Sequence, residues 1–394
     1  MRRKLDRREF LKRGTLAGVV AAAGLSTAET LAAAPALPVL NGAPAESFVE
    51  LADRQLDSQA FCLSVYDSIT PSLAFAATSA SAARDWQHAA RTRLIERLGG
   101  FPGARVPLNA EVLETKDFGS YTRERIVFQS REGLSVLGYL LLPKDRPRPL
   151  PAIVAFSGHG RGVDDILGIA PDGSQLPQRG VGYAKEYGIQ CVEHGYATFA
   201  IEQLAFGARR DAAARKAGPA ENSCRPAACA ALLLGQTMIG WRAWDAMRAI
   251  DYLATRSEID ATRIATLGAS GGGTTSLFTA AVDERVKVGV VSAYFNTFRD
   301  SIVSISHCPD NYVPGLATDM EMSDVAGLIA PRALFVESGR RDPIFPIAGS
   351  EKAAKKAGEI FHMLGATDRM AYQIHDGAHE FYGVGAFDFL SRAL

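Results

Sequence analysis

The hydrophobic positions of this chain follow two different spacings. Between residues 81 and 98, apolar side chains recur every three or four positions and two glycines follow, which predicts an amphipathic helix. From residue 111 to residue 144, three short runs rich in β-branched and aromatic residues predict strands that begin an antiparallel sheet. We assign residues 37–108 to an N-terminal helical extension, and we expect residues 37–60 to enter the domain as extended chain.

From residue 150 onward, short and continuous apolar runs alternate with helical patterns. The runs PAIVAF, YATFAI, RIATLGA, VKVGVVS, RALFVE and RMAYQIH are typical of strands that are covered on both faces. Strands that alternate with helices predict an α/β fold with a mostly parallel central sheet flanked by helices. We expect one domain over residues 37–394, with loop insertions at 161–228 and 294–320 that follow predicted strand ends, where sites in such sheets lie.

The stretch LGASGGGTT, at residues 267–275, places a serine among glycines between a predicted strand and a predicted helix. It matches G-x-S-x-G, in which the two outer glycines let the strand and the helix approach each other closely. The pattern alone would also suit a flexible turn in a chain this rich in glycine. The flanking strand and helix favour Ser270 as a nucleophile, and a serine hydroxyl then needs a base.

Candidates for the base and its acid follow the serine along the chain. After the last predicted strand, the loop HDGAHEF contains His375 and His379, and we predict His379 as the base. Asp342 follows the strand RALFVESG and is predicted as the acid that orients the imidazole. Glu337 is the alternative, but it lies inside that strand. The order serine, acid, histidine is the order found in α/β-hydrolases.

Two backbone N–H groups near the serine are candidates for an oxyanion hole. The N–H of Gly271 directly follows the nucleophile, and the loop SGHGRG after PAIVAF offers the N–H of His159. This loop lacks the Lys and Ser/Thr of a phosphate-binding loop and the spacing of a dinucleotide fingerprint. The sequence therefore predicts no cofactor.

Four further side chains lie on segments that should border a pocket. Arg161 and Glu202 follow predicted strand ends and are candidates for binding a polar substrate, although ordinary surface charge explains them as well. His307 and Tyr312 lie on the excursion before the acid-bearing strand and are candidates for lining the pocket. A cysteine follows His307, but one His–Cys pair without further ligands does not make a metal site, and we expect none.

Composition narrows the classes of partner. Lys plus Arg and Asp plus Glu both number 43, so the formal net charge is zero and no basic stripe indicates a nucleic acid. Hydrophobic residues make up 47% of the chain, which is enough to bury a large core. The five cysteines are too few for a disulfide framework. Cys224 and Cys229 are close enough in sequence for a local bridge, and isolated buried thiols are the alternative.

The first 36 residues have the composition of an export signal. A basic segment precedes an Ala- and Gly-rich apolar stretch, and RREFLK at residues 7–12 resembles a twin-arginine signal. A membrane anchor is the alternative, but the apolar run is shorter than the ~20 residues that a spanning helix needs. We expect the twin-arginine export machinery as a partner, and a periplasmic or secreted mature protein without a membrane span.

Together these segments resemble an α/β-hydrolase, and more narrowly the acetyl-xylan-esterase-like branch related to dienelactone hydrolases. The resemblance covers residues 85–394 and rests on RTRLIERLGG, AIVAFSGHGRG, LGASGGG, SHCPDNYVPGL, ESGRRDPIFP and HDGAHEF. The resemblance implies a nucleophile, an acid, a base and two oxyanion donors, which are Ser270, Asp342, His379, and the N–H groups of His159 and Gly271.

The chain departs from these relatives at two places. Ser157 and Gly158 stand where many relatives carry His-Gly, a change that leaves the backbone donor in place. Dienelactone hydrolases proper use a cysteine nucleophile, so Ser270 favours ordinary ester hydrolysis over their ring-opening chemistry.

These observations predict an exported serine hydrolase that cleaves a small acyl ester, such as an acetyl group on a carbohydrate, through an acyl-enzyme. A peptidase or amidase with the same three residues is the first alternative, although the sequence does not indicate the propeller-like accessory domain of many such peptidases. A binding protein on an inactive hydrolase scaffold is the second alternative, and the complete set of serine, acid and histidine disfavours it.

Overall fold

The computed structural model describes residues 54–394, so the export signal predicted at residues 1–36 lies outside the described residues. Residues 57–394 form one compact unit. Within the described part, no helix combines the length and the apolar character that crossing a membrane requires.

A single mixed sheet of nine strands lies at the centre of this unit. In chain order the strands are β1 (Glu111–Asp117), β2 (Tyr121–Arg131), β3 (Leu134–Pro143), β4 (Leu150–Phe156), β5 (Ala197–Ile201), β6 (Ile259–Ala269), β7 (Val286–Ser292), β8 (Ala333–Gly339) and β9 (Met370–His375). Their order across the sheet is β1-β2-β3-β5-β4-β6-β7-β8-β9. The pairs β1/β2, β2/β3 and β3/β5 are antiparallel, and all pairs from β5/β4 to β8/β9 are parallel. The predicted fold class, including its antiparallel start, is confirmed.

Helices cover both faces of the sheet. In chain order they are α1 (Ser58–Asp67), α2 (Ala80–Arg97), α3 (Val163–Leu167), α4 (Tyr187–Glu193), α5 (Ala212–Ala217), α6 (Cys224–Leu233), α7 (Met238–Leu253), α8 (Gly271–Val282), α9 (Leu316–Asp319), α10 (Met322–Gly327), α11 (Ile347–Met363) and α12 (Val384–Ala393). Side chains of α2, α7, α8, α10 and α11 pack in the core of one face, and those of α3, α4 and α12 pack in the core of the other.

The continuous apolar runs arise from this double cover. In β4, Ala152, Val154 and Phe156 belong to the first core. Ile153 and Ala155, which alternate with them, belong to the second. All five side chains are fully buried, because successive residues of a strand point to opposite faces. A strand between two helical layers therefore has no polar face for a sequence pattern to reveal.

Helix α1 differs from the extended entry expected for residues 37–60. It begins at Ser58, and the carboxylate of Asp57 accepts hydrogen bonds from the N–H groups of Gln59 and Ala60. This cap satisfies donors that would otherwise be unpaired at the helix start. None of the residues of α1 is buried, so the helix carries no apolar periodicity that would have predicted it.

Candidate active site

Ser270 lies at the junction of β6 and α8 with φ 57° and ψ −125°. Few residues other than glycine adopt a positive φ, so the surrounding structure must hold this conformation. The N–H of Ser270 donates to the carbonyl of Ser292 at 3.0 Å, and the N–H of Thr274 donates to the carbonyl of Ser270 at 3.0 Å. Backbone contacts on both sides therefore fix the serine at the carboxyl edge of the sheet.

The glycines around this serine differ in the space they leave for a side chain. A Cβ at Gly272 would overlap the carbonyl oxygen of Phe156, and a Cβ at Gly268 would overlap the backbone of Gly272. Gly271, in contrast, would bring a Cβ only to 3.6 Å from Nδ1 of His159, which is an ordinary contact. The two outer glycines of G-x-S-x-G are thus required by the close approach of strand and helix, as the sequence predicted.

Asp342 and His379 are brought together by the loops that follow β8 and β9. Nδ1 of His379 lies 2.8 Å from Oδ2 of Asp342, whose side chain is 1% exposed. The other carboxylate oxygen accepts hydrogen bonds from the N–H groups of Ile344 at 2.8 Å and Phe345 at 3.1 Å. The His379 ring stacks between the rings of Tyr183 and Phe345. Both partners of the acid–imidazole pair are therefore oriented by their surroundings.

Glu337, the alternative acid, binds groups other than the imidazole of His379. It is fully buried and accepts hydrogen bonds from Oγ of Ser292 at 2.7 Å and from the N–H groups of Tyr382 and Gly383 at 2.8 and 2.9 Å. Burial raises the pKa of this carboxyl, against the lowering effect of these hydrogen bonds. Glu337 thus ties the sheet to the segment just after His379, and Asp342 is the acid that meets the imidazole.

Ser270 and His379 line one cavity of about 360 Å³. Part of the cavity wall comes from the second insertion, at residues 305–308. The lining residues are His159, Tyr183, Ser270, Ile305, Ser306, His307, Cys308, Ile344 and His379. Of the residues predicted from sequence, four meet at this cavity, namely Ser270, His379, His159 and His307.

The loop after β4 passes directly beside the serine. A Cβ at Gly158 would lie 3.0 Å from Cβ of Ser270, so only glycine permits this approach. The buried amide of Gln203 holds the loop in place, since it donates to the carbonyl of Ser157 and accepts from Oγ1 of Thr275 in the first turn of α8. Sequence reasoning missed Gln203, because nothing but its place after β5 distinguishes it from a surface glutamine.

Arg161 lies next to the cavity but is engaged elsewhere. Its Nε pairs with Oδ1 of Asp165 at 2.9 Å, and its Nη1 donates to the carbonyl of Ile169 at 2.7 Å. It borders a neighbouring cavity of about 180 Å³, which shares the side chain of Tyr183 with the first. The guanidinium therefore stabilises the loop that carries it, and it does not line the cavity that contains Ser270.

Glu202 and Tyr312 are also placed away from that cavity. Glu202 is 2% exposed, and its two oxygens accept hydrogen bonds from the N–H groups of Val163 at 3.1 Å and Ala208 at 3.2 Å. Burial raises the pKa of this carboxyl to about 7. The hydroxyl of Tyr312 donates to the carbonyl of Ile302 at 2.9 Å and borders a separate cavity of about 90 Å³. Both side chains stabilise loops that surround the site.

His307 lies in the wall with its ring edge against Phe345, at 5.6 Å between ring centroids. Burial lowers the pKa of this imidazole, which favours its neutral form. Neither ring nitrogen has a hydrogen-bond partner among residues 54–394. His307 therefore lines the cavity with its ring, while both of its ring nitrogens are buried.

The cysteines do not form the local disulfide bridge that was considered from the sequence. All five cysteines lie in the described part of the chain, and each is a free thiol. Cys229 is exposed, whereas Cys224 is buried and lies near Cys308, 84 positions further along the chain. The Cys224–Cys229 bridge is therefore not formed, because the two residues lie on different faces of α6.

A cluster of four side chains with metal-binding atoms lies at the edge of the cavity. It consists of His159, Cys224, Cys308 and Asp310, and one ligand atom of each lies within 4.8 Å of those of the others. The sequence argument against a metal site considered only the adjacent pair His307 and Cys308. The cluster adds candidate ligands that this argument did not consider, because its histidine comes from the loop after β4.

Comparison with known proteins agrees with this architecture. Residues 50–348 match the sequence profile described as the Abhydrolase family. YtaP of Bacillus subtilis (strain 168), provisionally designated a hydrolase, is 28% identical over 288 residues, which cover 71% of this chain and 89% of YtaP.

Solved structures share the fold at low sequence identity. A provisionally designated acetyl xylan esterase from Bacteroides fragilis NCTC 9343 superposes with a TM-score of 0.69 at 18% identity, over 82% of this chain and 83% of that one. A glucuronoyl esterase from Solibacter usitatus superposes with a TM-score of 0.59 at 19% identity, over 83% and 97% of the two chains. Because the family profile spans most of the chain, the protein belongs to the Abhydrolase family of α/β-hydrolases.

Proposed function

We propose that the protein is an exported serine hydrolase that cleaves small-acyl esters of carbohydrates through an acyl-enzyme. The observation that carries this proposal is the 2.8 Å contact between His379 Nδ1 and Asp342 Oδ2, at the wall of a cavity that Ser270 also lines. A buried carboxylate at Nδ1 leaves Nε2 of the imidazole to accept a proton from the serine.

In this mechanism Oγ of Ser270 attacks the acyl carbonyl while His379 takes its proton. The oxyanion of the tetrahedral intermediate is stabilised by the N–H groups of Gly271 and His159, which carry no charge and need no reorganisation during the step. Collapse of the intermediate expels the alcohol, which receives the proton from His379. A water molecule, activated by the same imidazole, then hydrolyses the acyl-enzyme and frees Ser270.

The size and lining of the cavity support a small acyl group. A volume of about 360 Å³ lies at the lower end of the ~300–1,000 Å³ usual for ligand sites. Ile305 and Ile344 supply an apolar surface for the acyl chain. The names of the superposed esterases refer to acetyl xylan and glucuronoyl esters, which supports a carbohydrate ester as the substrate.

Export is inferred from the RREFLK motif and the apolar stretch that follows it. A substrate outside the cytoplasm agrees with action on polymeric carbohydrate. Replacing both arginines of the motif by lysine should keep the unprocessed precursor in the cytoplasm, as cell fractionation would reveal.

The decisive experiment compares the unaltered chain with Ser270→Ala on acetyl esters, longer acyl esters and methyl esters of uronic acids. We expect acetyl esters to be preferred and the variant to lose activity by a factor on the order of 10⁴ or more. A serine-directed phosphonate should label one residue per chain, on the peptide that contains Ser270. The matched control is Ser391→Ala in the last helix, which should keep full activity and labelling.

The same assay separates the alternatives. Faster cleavage of an anilide than of the ester with the same acyl group would indicate an amidase or peptidase. Unchanged hydrolysis by Ser270→Ala would overturn the nucleophile assignment. An unaltered chain that binds these esters without cleaving any of them would indicate a binding protein.

A further inference from the structure

We propose that His159, Cys224, Cys308 and Asp310 form a tetrahedral site for Zn²⁺ in the wall of the cavity. This inference is independent of the proposed ester chemistry, because it concerns how the wall is held together. It rests on the separations of the four ligand atoms, on the chemistry of these atoms and on the buried guanidinium of Arg242 beside them.

Two of the separations within the cluster match those of a tetrahedral site. Oδ2 of Asp310 lies 3.3 Å from Sγ of Cys224 and 3.7 Å from Nε2 of His159, and all four ligand atoms lie within 4.8 Å of one another. Zinc bonds of about 2.0 Å to nitrogen or oxygen and 2.3 Å to sulfur give tetrahedral edges of roughly 3.3–3.8 Å. Small adjustments of these side chains would therefore place all four around one ion.

The donor set selects zinc over the common hard cations. Two thiolates, one imidazole and one carboxylate suit a borderline-soft ion, whereas magnesium and calcium require several oxygen ligands. Nε2 of His159 is buried and has no hydrogen-bond partner within the described part of the chain. An imidazole nitrogen in this state is costly unless it has a partner, and the proposed ion supplies one.

Arg242 balances the charge of the site. Its Nη1 donates to Oδ2 of Asp310 at 2.7 Å, its Nη2 donates to Sγ of Cys224 at 3.1 Å, and its side chain is 3% exposed. One Zn²⁺, two thiolates and one carboxylate carry a net charge of −1, which the guanidinium neutralises. Donors of this kind behind the ligands orient them and modulate metal affinity.

Binding would replace two S–H bonds by two Zn–S bonds and release two protons to water, while the imidazole and the carboxylate each add one bond. Four protein ligands fill a tetrahedral shell, so the ion would have a structural role and leave no position for substrate. The ligands come from the loop after β4, from the first residue of α6, and from the segment at 308–310. The ion would therefore join both insertions beside the cavity that His159 and Cys308 line.

Co²⁺ is the probe for the test, because thiolate-bound tetrahedral cobalt has intense absorption bands that oxygen-bound cobalt lacks. The full chain is reduced, stripped with a chelator and titrated with Co²⁺, and then with Zn²⁺. We expect one equivalent of cobalt with thiolate-to-metal bands, displacement of those bands by one equivalent of zinc, and a higher melting temperature with zinc.

Three variants connect this binding to the cluster. Cys308→Ser and Asp310→Asn should each weaken zinc binding by about 10- to 100-fold or more, and Cys308→Ser should also reduce the thiolate-to-cobalt bands. Cys229→Ser removes an exposed thiol of the same helix and should bind as the unaltered chain does. Circular dichroism of the metal-free variants shows whether each one folds.

The proposal is overturned if the reduced, folded, unaltered chain binds neither ion at one equivalent. It is equally overturned if folded Cys308→Ser binds zinc as tightly as Cys229→Ser. A Cys224–Cys308 disulfide that persists under reducing conditions and prevents zinc binding would also exclude it.

Discussion

The two sides of the cavity are held by different kinds of contact. On the sheet side, Ser270 directly follows β6, and Asp342 and His379 lie on the loops after β8 and β9. Backbone hydrogen bonds hold the segments that carry them. The other side, which we call the insertion wall, consists of residues 305–310, of which residues 305–308 line the cavity. Side-chain contacts between distant segments hold this wall, so its shape depends on a few buried polar groups.

Buried charges dominate the insertion wall. The ion pair between Arg242 and Asp310, at 2.7 Å, joins α7 to the wall, and both side chains are at most 3% exposed. Removing one member of such a pair leaves an unpaired buried charge and costs about 3–5 kcal/mol. Replacing a group on the sheet side should instead leave most of the fold intact and abolish the chemistry. One side of the cavity therefore carries the residues proposed to perform the reaction, and the other side shapes the space beside them.

The largest effect on the sheet side is expected from Asp342→Asn. An amide at this position cannot stabilise the imidazolium and favours the wrong tautomer of His379, so kcat should fall about 10⁴-fold. The matched control is Asp376→Asn, since this carboxylate lies on the same edge but is exposed and pairs with the exposed Arg340 at 3.4 Å. Steady-state kinetics on an acetyl ester measures both. Equal loss in the two variants would mean that Asp342 has no special role.

The next largest effect concerns the turn at the serine, where two adjacent glycines can be compared. Gly272→Ala forces a Cβ into the carbonyl of Phe156 and should lower the free energy of unfolding by about 3 kcal/mol. Gly271→Ala has room for its Cβ, so its stability should change by less than about 1 kcal/mol. Urea denaturation measures both values. Similar values for the two variants would show that the close approach of strand and helix does not constrain this turn.

An effect of similar size, but dependent on pH, is expected from Glu202→Gln, just after β5. Burial raises the pKa of this carboxyl to about 7, whereas in the unfolded chain it titrates near 4.5. Between these values the folded state keeps a proton that the unfolded state has lost, so the free energy of unfolding falls as the pH rises. The loss is complete above pH 7 and amounts to about 3 kcal/mol.

The variant should lack this component, so the stability difference between Glu202→Gln and the unaltered chain should shift in favour of the variant from pH 4 to pH 8. Chemical denaturation at several pH values measures the difference. Glu132→Gln, at an exposed position of the turn between β2 and β3, is the control and should show a constant difference. A constant difference for Glu202→Gln as well would contradict the raised pKa.

Most of the sheet side could be predicted from sequence, because its signals are local. The strands from β4 onward contain continuous apolar runs, and the residues after β6, β8 and β9 meet at one edge because parallel strands align their carboxyl ends. That argument predicted the approach of Asp342 to His379 without any knowledge of the loops between them. Helix α1 escaped the same reasoning, since an exposed helix lacks an apolar face.

The insertion wall could not be predicted, because its contacts join segments far apart in the chain. His159 and Cys308 are 149 positions apart, and only the folded loops bring them into one cluster. Arg161 and Glu202 were correctly placed near strand ends, but their side chains turn to their own loops. A position after a strand thus predicts the neighbourhood of a side chain, whereas its direction depends on the local hydrogen bonds.

Ser292, at the end of β7, hydrogen-bonds to both Ser270 and Glu337. Its carbonyl accepts the N–H of Ser270, and its hydroxyl donates to Glu337, which in turn holds the N–H groups of Tyr382 and Gly383 just after His379. One residue therefore connects the serine loop and the histidine loop, so we expect the two to move as a rigid body. A change in the shape of the cavity would then occur at the insertion wall, while Ser270 and His379 keep their relative position.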